Sequence, residues 1–126
     1  MSPLVIAAAI VAGGLAALLR YGVSVVLERV SRAESFPWSV LIVNAVGSGL
    51  GGAVLGLAQS SGASPELQLI IFTGVCGGLT TFSTFSVETI QLITHGQWRS
   101  AALSVGLNLV VGLGACVIGY LLTFSL

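Results

Sequence analysis

An all-α membrane protein is the fold class this 126-residue chain predicts, and three observations predict it. Hydrophobic residues make up 56% and charged residues only 6%, the mean hydropathy is +1.09, and the apolar residues fall into four long runs. A hydrocarbon core about 30 Å thick is crossed by roughly 20 helical residues, so most of the chain is committed to lipid. A soluble domain of this size needs a mixed charged surface. Here the charged residues are Arg20, Glu28, Arg29, Arg32, Glu34, Glu66, Glu88 and Arg99, with His95 beside them, and most sit between the apolar runs.

The first helix is expected over residues 3–27, opening at Pro3, whose fixed φ suits a first turn. No basic segment precedes it and similar runs follow, so it is read as a retained span rather than a cleaved leader. The polar stretch from Glu28 to Ser35 is interfacial. Pro37 then opens the second helix, residues 37–58, with Trp38 placed for the headgroup level. Ser64 and Pro65 read as N-cap and first residue of the third region, which is expected as two half-helices, 65–79 and 82–94. Thr94-His95-Gly96-Gln97 ends it, and the fourth helix follows over 100–122. Residues 1–126 form a single transmembrane domain. The basic loop residues Arg29, Arg32 and Arg99 favour loops 1 and 3 on the cytoplasmic side.

The third region is longer than a straight span requires. Its middle reads Gly77-Gly78-Leu79-Thr80-Thr81-Phe82-Ser83-Thr84-Phe85-Ser86. Glycine costs about 1 kcal/mol in a helix interior, and Thr and Ser offer the backbone competing hydrogen bonds, so the helix is expected to break at mid-membrane. A break leaves carbonyls unpaired on one side and N–H groups on the other. In hydrocarbon these must be met by protein, water or ions, and such backbone lines a cavity or site. Carbonyls suit a hard cation, N–H and hydroxyl groups an anion. The alternative is an intact helix whose hydroxyls bond carbonyls one turn back. Phe82 and Phe85 share a face with Glu88. They are either ordinary packing or aromatic edges turned toward an anion.

Other polar residues lie within the spans. Asn44 has Ser48 one turn on, and Ser104, Asn108, Gly112, Cys116 and Tyr120 make a stripe on the fourth helix. Asn44 and Asn108 are either interhelical hydrogen-bond partners or pore-lining amides. Arg20 either snorkels to the headgroups or serves an anion vestibule, and Glu88 is either a solvated helix end or a pore mouth. The Gly47-x-x-x-Gly51 and Gly52-x-x-x-Gly56 pairs pack helices either within one subunit or between two. Cys76 and Cys116 are read as small packing residues, with no disulfide or zinc spacing.

The string from Gly77 to Ser86, with Glu88 and Thr89, Arg20-Tyr21 in the first helix and Val43-Asn44-x-x-Gly47 in the second, resembles the Fluc (CrcB) fluoride channels over essentially the whole chain. The resemblance implies a passive, fluoride-selective channel that exports fluoride from the cytoplasm and so relieves fluoride toxicity. It implies an antiparallel, dual-topology homodimer in the bacterial inner (plasma) membrane, with two pores and one central structural Na⁺. The Na⁺ would be held by the backbone carbonyls of Gly77 and Thr80 from both subunits. The anion pore would be lined by Asn44, Phe82, Ser83, Thr84, Phe85 and Asn108, with Arg20 at the vestibule and Glu88 near the pore end. This chain departs from the family pattern at Ala16, at Ser39-Val40-Leu41 and at Asn108, where the family often carries Gly, Gly-Thr-Leu and Ser. The basic-residue bias keeps open a heterodimer with an oppositely oriented paralogue.

Three other functions compete. A proton-coupled exporter of the small multidrug-resistance type needs a membrane carboxylate in its first helix, and none precedes Glu28. A non-conducting membrane scaffold would move no ion. A catalytic role lacks a nucleophile, base and orienting group in combination, and nothing in the chain reads as a nucleic-acid surface.

Overall fold

The computed structural model describes residues 2–30 and 36–125. The loop residues Arg32 and Glu34 and the side chain of Glu28 lie outside the described residues. Every regular element among the described residues is helical: α1 (Pro3–Val30), α2 (Trp38–Ser60), α3 (Pro65–Gln68), a π-helical stretch (Leu69–Cys76), α4 (Gly77–Leu79), α5 (Ser83–Thr94) and α6 (Trp98–Phe124). Four segments are long and apolar enough to cross a bilayer: Pro3–Leu27, Trp38–Ser60, Pro65–Thr94 and Trp98–Phe124. The chain is therefore a four-span, multi-pass helical protein.

Local chemistry sets the element ends. The Ser64 hydroxyl accepts the Leu67 N–H at 3.2 Å, and Pro65 fills the first helical position, where its missing N–H removes no bond. Gly62 and Gly96 have φ of 68° and 77°, a left-handed conformation that glycine adopts without a Cβ clash, and they turn the chain between spans. Leu69–Cys76 winds as a π-helix, a form the sequence reading does not anticipate. Four of its eight residues, Ile70, Ile71, Thr73 and Val75, are β-branched and crowd a normal α-turn.

Large side chains such as Ile10, Leu18, Val110 and Leu121 face outward, as lipid requires. The interior is small: Ala16, Val43 and Leu79 form its centre, with Val23 and Val75 packed against it. Lipid tails are as apolar as leucine, so close van der Waals approach at small residues supplies the association energy. The most extensive packing is between α2 and α6, followed by α1 against the π-helical stretch and α4. Gly52 lies against the Cys116 backbone, and Gly119 against the carbonyl of Gly49. Gly78 touches the carbonyl of Gly13, and Gly74 that of Ala9. Gly47 makes room for the Thr80 side chain, and Gly51 faces the Phe72 ring. Both Gly-x-x-x-Gly pairs of α2 thus pack helices within one subunit. By contrast α5 leans mainly on α6.

A methyl group added at Gly52 or Gly78 would overlap backbone atoms that cannot move aside. Gly52→Ala and Gly78→Ala are expected to destabilise the detergent-solubilised protein by about 1–3 kcal/mol. Gly14→Ala, which meets nothing within 4 Å, should change stability by less than about 0.5 kcal/mol. Thermal unfolding of the three variants checks the contrast.

Candidate functional site

Between α4 and α5, residues 80–82 lie outside any helix. Thr80 takes φ −79° and ψ 157°, an extended conformation that turns its carbonyl off the helix axis. Its N–H and hydroxyl both still bond the Cys76 carbonyl, at 3.0 and 2.9 Å, so α4 keeps its last turn before the chain departs.

In a continuous helix the Thr81 N–H would donate to the Gly77 carbonyl. It donates instead to Asn44 Oδ1 at 2.8 Å, which releases the Gly77 carbonyl. Asn44 Nδ2 returns a bond to the Thr81 carbonyl at 3.2 Å. The carboxamide therefore pairs with one residue's backbone much as a neighbouring strand would. The hydroxyl of Thr81, a buried residue, accepts the Thr84 N–H at 3.1 Å. That bond caps α5 and takes the donor that would otherwise meet the Thr80 carbonyl. The Thr80 carbonyl accepts from Arg20 Nη1 at 3.2 Å, bringing the one charged residue of the α1 interior onto the open backbone.

Around this segment lies a cavity of about 290 Å³ lined by Arg20, Tyr21, Ser24, Ser39, Thr81 and Thr84, among others. It combines one guanidinium with several hydroxyls, donors suited to an anion. The rings of Phe82 and Phe85 stand 6.1 Å apart, tilted by 44°. Phe82 is 79% exposed, and Ser83 and Thr84 are also exposed. Ser83 Oγ and Thr81 Oγ1 lie 3.3 Å apart. Glu88, in the second turn of α5, is partly exposed, with Oε2 covered.

The polar stripe of α6 faces α2. Asn108 Oδ1 accepts from Asn44 Nδ2 at 3.2 Å, Gly112 approaches the Ser48 hydroxyl, and the Tyr120 hydroxyl donates to Gln59 Oε1. Asn44 and Asn108, expected on a pore wall, thus use their amides on each other and on Thr81. Arg20, Asn44, Thr80 and Thr81 come together at one place, with Asn108 behind them. Sequence reasoning missed Ser24 and Ser39 as cavity residues, since each is a single hydroxyl in an apolar run. It also missed Thr81 as a cap, although a Thr three residues before a helical amide is the signal that finds one.

The family described as "CrcB-like protein, Camphor Resistance (CrcB)" matches residues 7–120. The chain belongs to this family. A protein named fluoride-specific ion channel FluC, from Shewanella sp. (strain ANA-3), is 45% identical over 113 residues, covering 90% of each chain. Proteins of the same name from Shewanella baltica (strain OS185) and Shewanella putrefaciens are 44% and 43% identical over the same share.

Thr81→Val removes the hydroxyl that caps α5 while keeping the side-chain shape. It is expected to cost about 1 kcal/mol of stability. Ser86→Ala, whose hydroxyl only bonds the Phe82 carbonyl one turn back, should stay within about 0.5 kcal/mol. Chemical unfolding of the two variants in one detergent checks the difference.

Proposed function

We propose that this chain is a fluoride-selective passive channel of the bacterial inner membrane, which lets fluoride leave the cytoplasm and so relieves its toxicity. The open backbone at residues 80–82, held by side chains beside a cavity rich in donors, is the observation that carries the reading. The 43–45% identity to proteins named fluoride-specific ion channel FluC supports the choice of ion.

In this reading the interruption lies at mid-membrane. An anion enters the cavity under the field of Arg20 and meets the hydroxyls of Ser24, Ser39 and Thr84. It then passes the rings of Phe82 and Phe85, whose edges carry partial positive charge, along Ser83 and Thr84, and leaves near Glu88. Asn44 and Asn108 stand directly behind this path. Fluoride is small and holds its water tightly, so short-range donors must replace that water. A permanent cation in the narrow part would hold the ion, whereas neutral donors let it go again.

The functional unit is an antiparallel dimer with two pores. Support comes from the exposed rings and hydroxyls of α5, which leans on little but α6 within one chain. A structural Na⁺ at the dimer centre would be held by the carbonyls of Gly77 and Thr80 from both subunits. The donor set fits: the Gly77 carbonyl has given up its helical donor to Asn44, Gly77 is exposed, and the Thr80 carbonyl keeps a second lone pair beside Arg20. Hard oxygens of this kind suit a hard cation. When bound, the cation would fix the negative ends of two α4 segments against each other. One chain supplies only half of the set.

Liposomes carrying the purified protein are expected to release fluoride rapidly without an energy source, while chloride leaks at the rate of empty vesicles. Equal rates for the two ions, or release that demands a proton gradient, would overturn the reading. An aromatic contact of about 0.5–1.5 kcal/mol in the barrier corresponds to as much as roughly tenfold in rate. Phe82→Ile and Phe85→Ile are therefore expected to slow fluoride efflux by up to about tenfold, with the oligomer unchanged in size-exclusion chromatography.

A further inference from the structure

The contact between Asn44 and Asn108 has a direction, and its two ends determine it. A backbone N–H can only donate, so the Asn44 atom 2.8 Å from the Thr81 nitrogen is its oxygen. That turns Nδ2 of Asn44 toward the Thr81 carbonyl and toward Asn108. At the other end, a backbone carbonyl can only accept. The Asn108 atom 2.8 Å from the Ser104 carbonyl is therefore its nitrogen, which leaves Asn108 Oδ1 for Asn44. Ser104, with 0% exposure, adds its hydroxyl at 3.5 Å from the same nitrogen. Reversing either amide would set donor against donor or acceptor against acceptor at an end.

We propose that Asn108, oriented by Ser104, is a positioning residue for the open backbone: it locks the Asn44 carboxamide with its oxygen toward the Thr81 N–H. The Thr81 N–H has two possible acceptors, Asn44 Oδ1 and the Gly77 carbonyl of a continuous helix. With Asn108 in place, both hydrogens of Asn44 Nδ2 have acceptors and the oxygen-forward orientation is the only one that satisfies every group. Without it, one Nδ2 hydrogen faces an apolar interior, the carboxamide rests on Thr81 alone, and its hold on Thr81 loosens. The Gly77 carbonyl can then take the N–H back and the open segment closes toward helix. Asn108 acts through Asn44 and touches no part of the ion path. The inference deepens the channel reading and rests on it for the effect on permeation.

The test uses the full chain, ¹⁵N-labelled, in detergent micelles and in liposomes. Asn108→Leu keeps the side-chain volume and removes the amide. A net hydrogen-bond contribution of about 1 kcal/mol corresponds to a change of roughly fivefold. The Asn44 side-chain NH₂ protons should therefore exchange with water about fivefold faster in Asn108→Leu. Protonated Asn108→Asp, which can donate its O–H to the Ser104 carbonyl and still offers Asn44 an oxygen, should restore slow exchange. Fluoride efflux should fall by about fivefold in Asn108→Leu. A packing role alone would leave both exchange and efflux unchanged in that variant, and that outcome overturns the proposal, as does faster exchange with normal efflux. Should neither variant fold, the unsubstituted chain decides. Both Asn44 NH₂ protons must exchange far more slowly than those of the exposed Gln97, and equal rates overturn the proposal. If the unsubstituted protein conducts no fluoride, the channel reading fails on that result, while the exchange comparison still decides the relay.

Discussion

Every backbone donor and acceptor placed in hydrocarbon must find a partner, and this constraint shapes the molecule around residues 80–82. A helix meets it by pairing each residue with the next turn. Where the helix stops, an orphaned buried group costs about 1–3 kcal/mol, too much for a small protein to leave unmet several times over. Side chains supply the substitutes: Asn44 meets the N–H and carbonyl of Thr81, the Thr81 hydroxyl meets the Thr84 N–H, and Arg20 meets the Thr80 carbonyl. Asn44 and Arg20 come from other helices, so the open segment is a property of the assembled fold and not of its own ten residues alone.

The glycine seams follow from the same requirement. A carboxamide reaches only about one hydrogen bond beyond its Cβ, so α2 must lie close to the third span on one face and to α6 on the other. Gly47 accommodates Thr80 at the first contact. At the second, Gly52 against Cys116 and Gly119 against Gly49 bring α2 and α6 to near backbone contact, which lets Asn44 meet Asn108. Small residues thus set the distances that the polar residues then use. A larger side chain at Gly47 or Gly52 would act on the open segment from a distance, by moving the groups that hold it.

Much of this architecture is legible in the sequence because lipid imposes a simple code. Apolar length marks the four spans, and Ser64-Pro65 and the two positive-φ glycines mark ends and turns. The Gly77-Gly78 pair and the Thr/Ser cluster after it lie where the chain leaves the helix, and the family string is unmistakable there. Pairings were less accessible. Asn44 and Asn108 are visible as polar residues, but their choice of each other depends on how α2 and α6 rotate, which hydropathy does not report. The α6 stripe shows the same gap: its four-residue repeat marks one face, yet whether that face meets a pore or a neighbouring helix is decided by the glycines opposite. The π-helical stretch leaves a still fainter trace, four β-branched residues in an apolar run.

The placement of charge links the structural constraint to the proposed permeation. Arg20 is the charged side chain that reaches the open backbone, and it does so at a carbonyl, where part of its field is spent. An unpaired guanidinium in the same cavity would attract an anion strongly and release it slowly, while a cavity without it would leave a dehydrated anion to face hydrocarbon alone. Bonding to Thr80 gives an intermediate potential. The same carbonyl is half of the proposed cation site in each chain, so the positive groups that draw the anion and those that brace the dimer would share one acceptor. That sharing would tie the depth of the anion's well to the integrity of the open segment. In the proposed channel a rearrangement at Thr80 would change both together, and the uncharged Asn44, Asn108 and Ser104 would serve to keep that backbone in place.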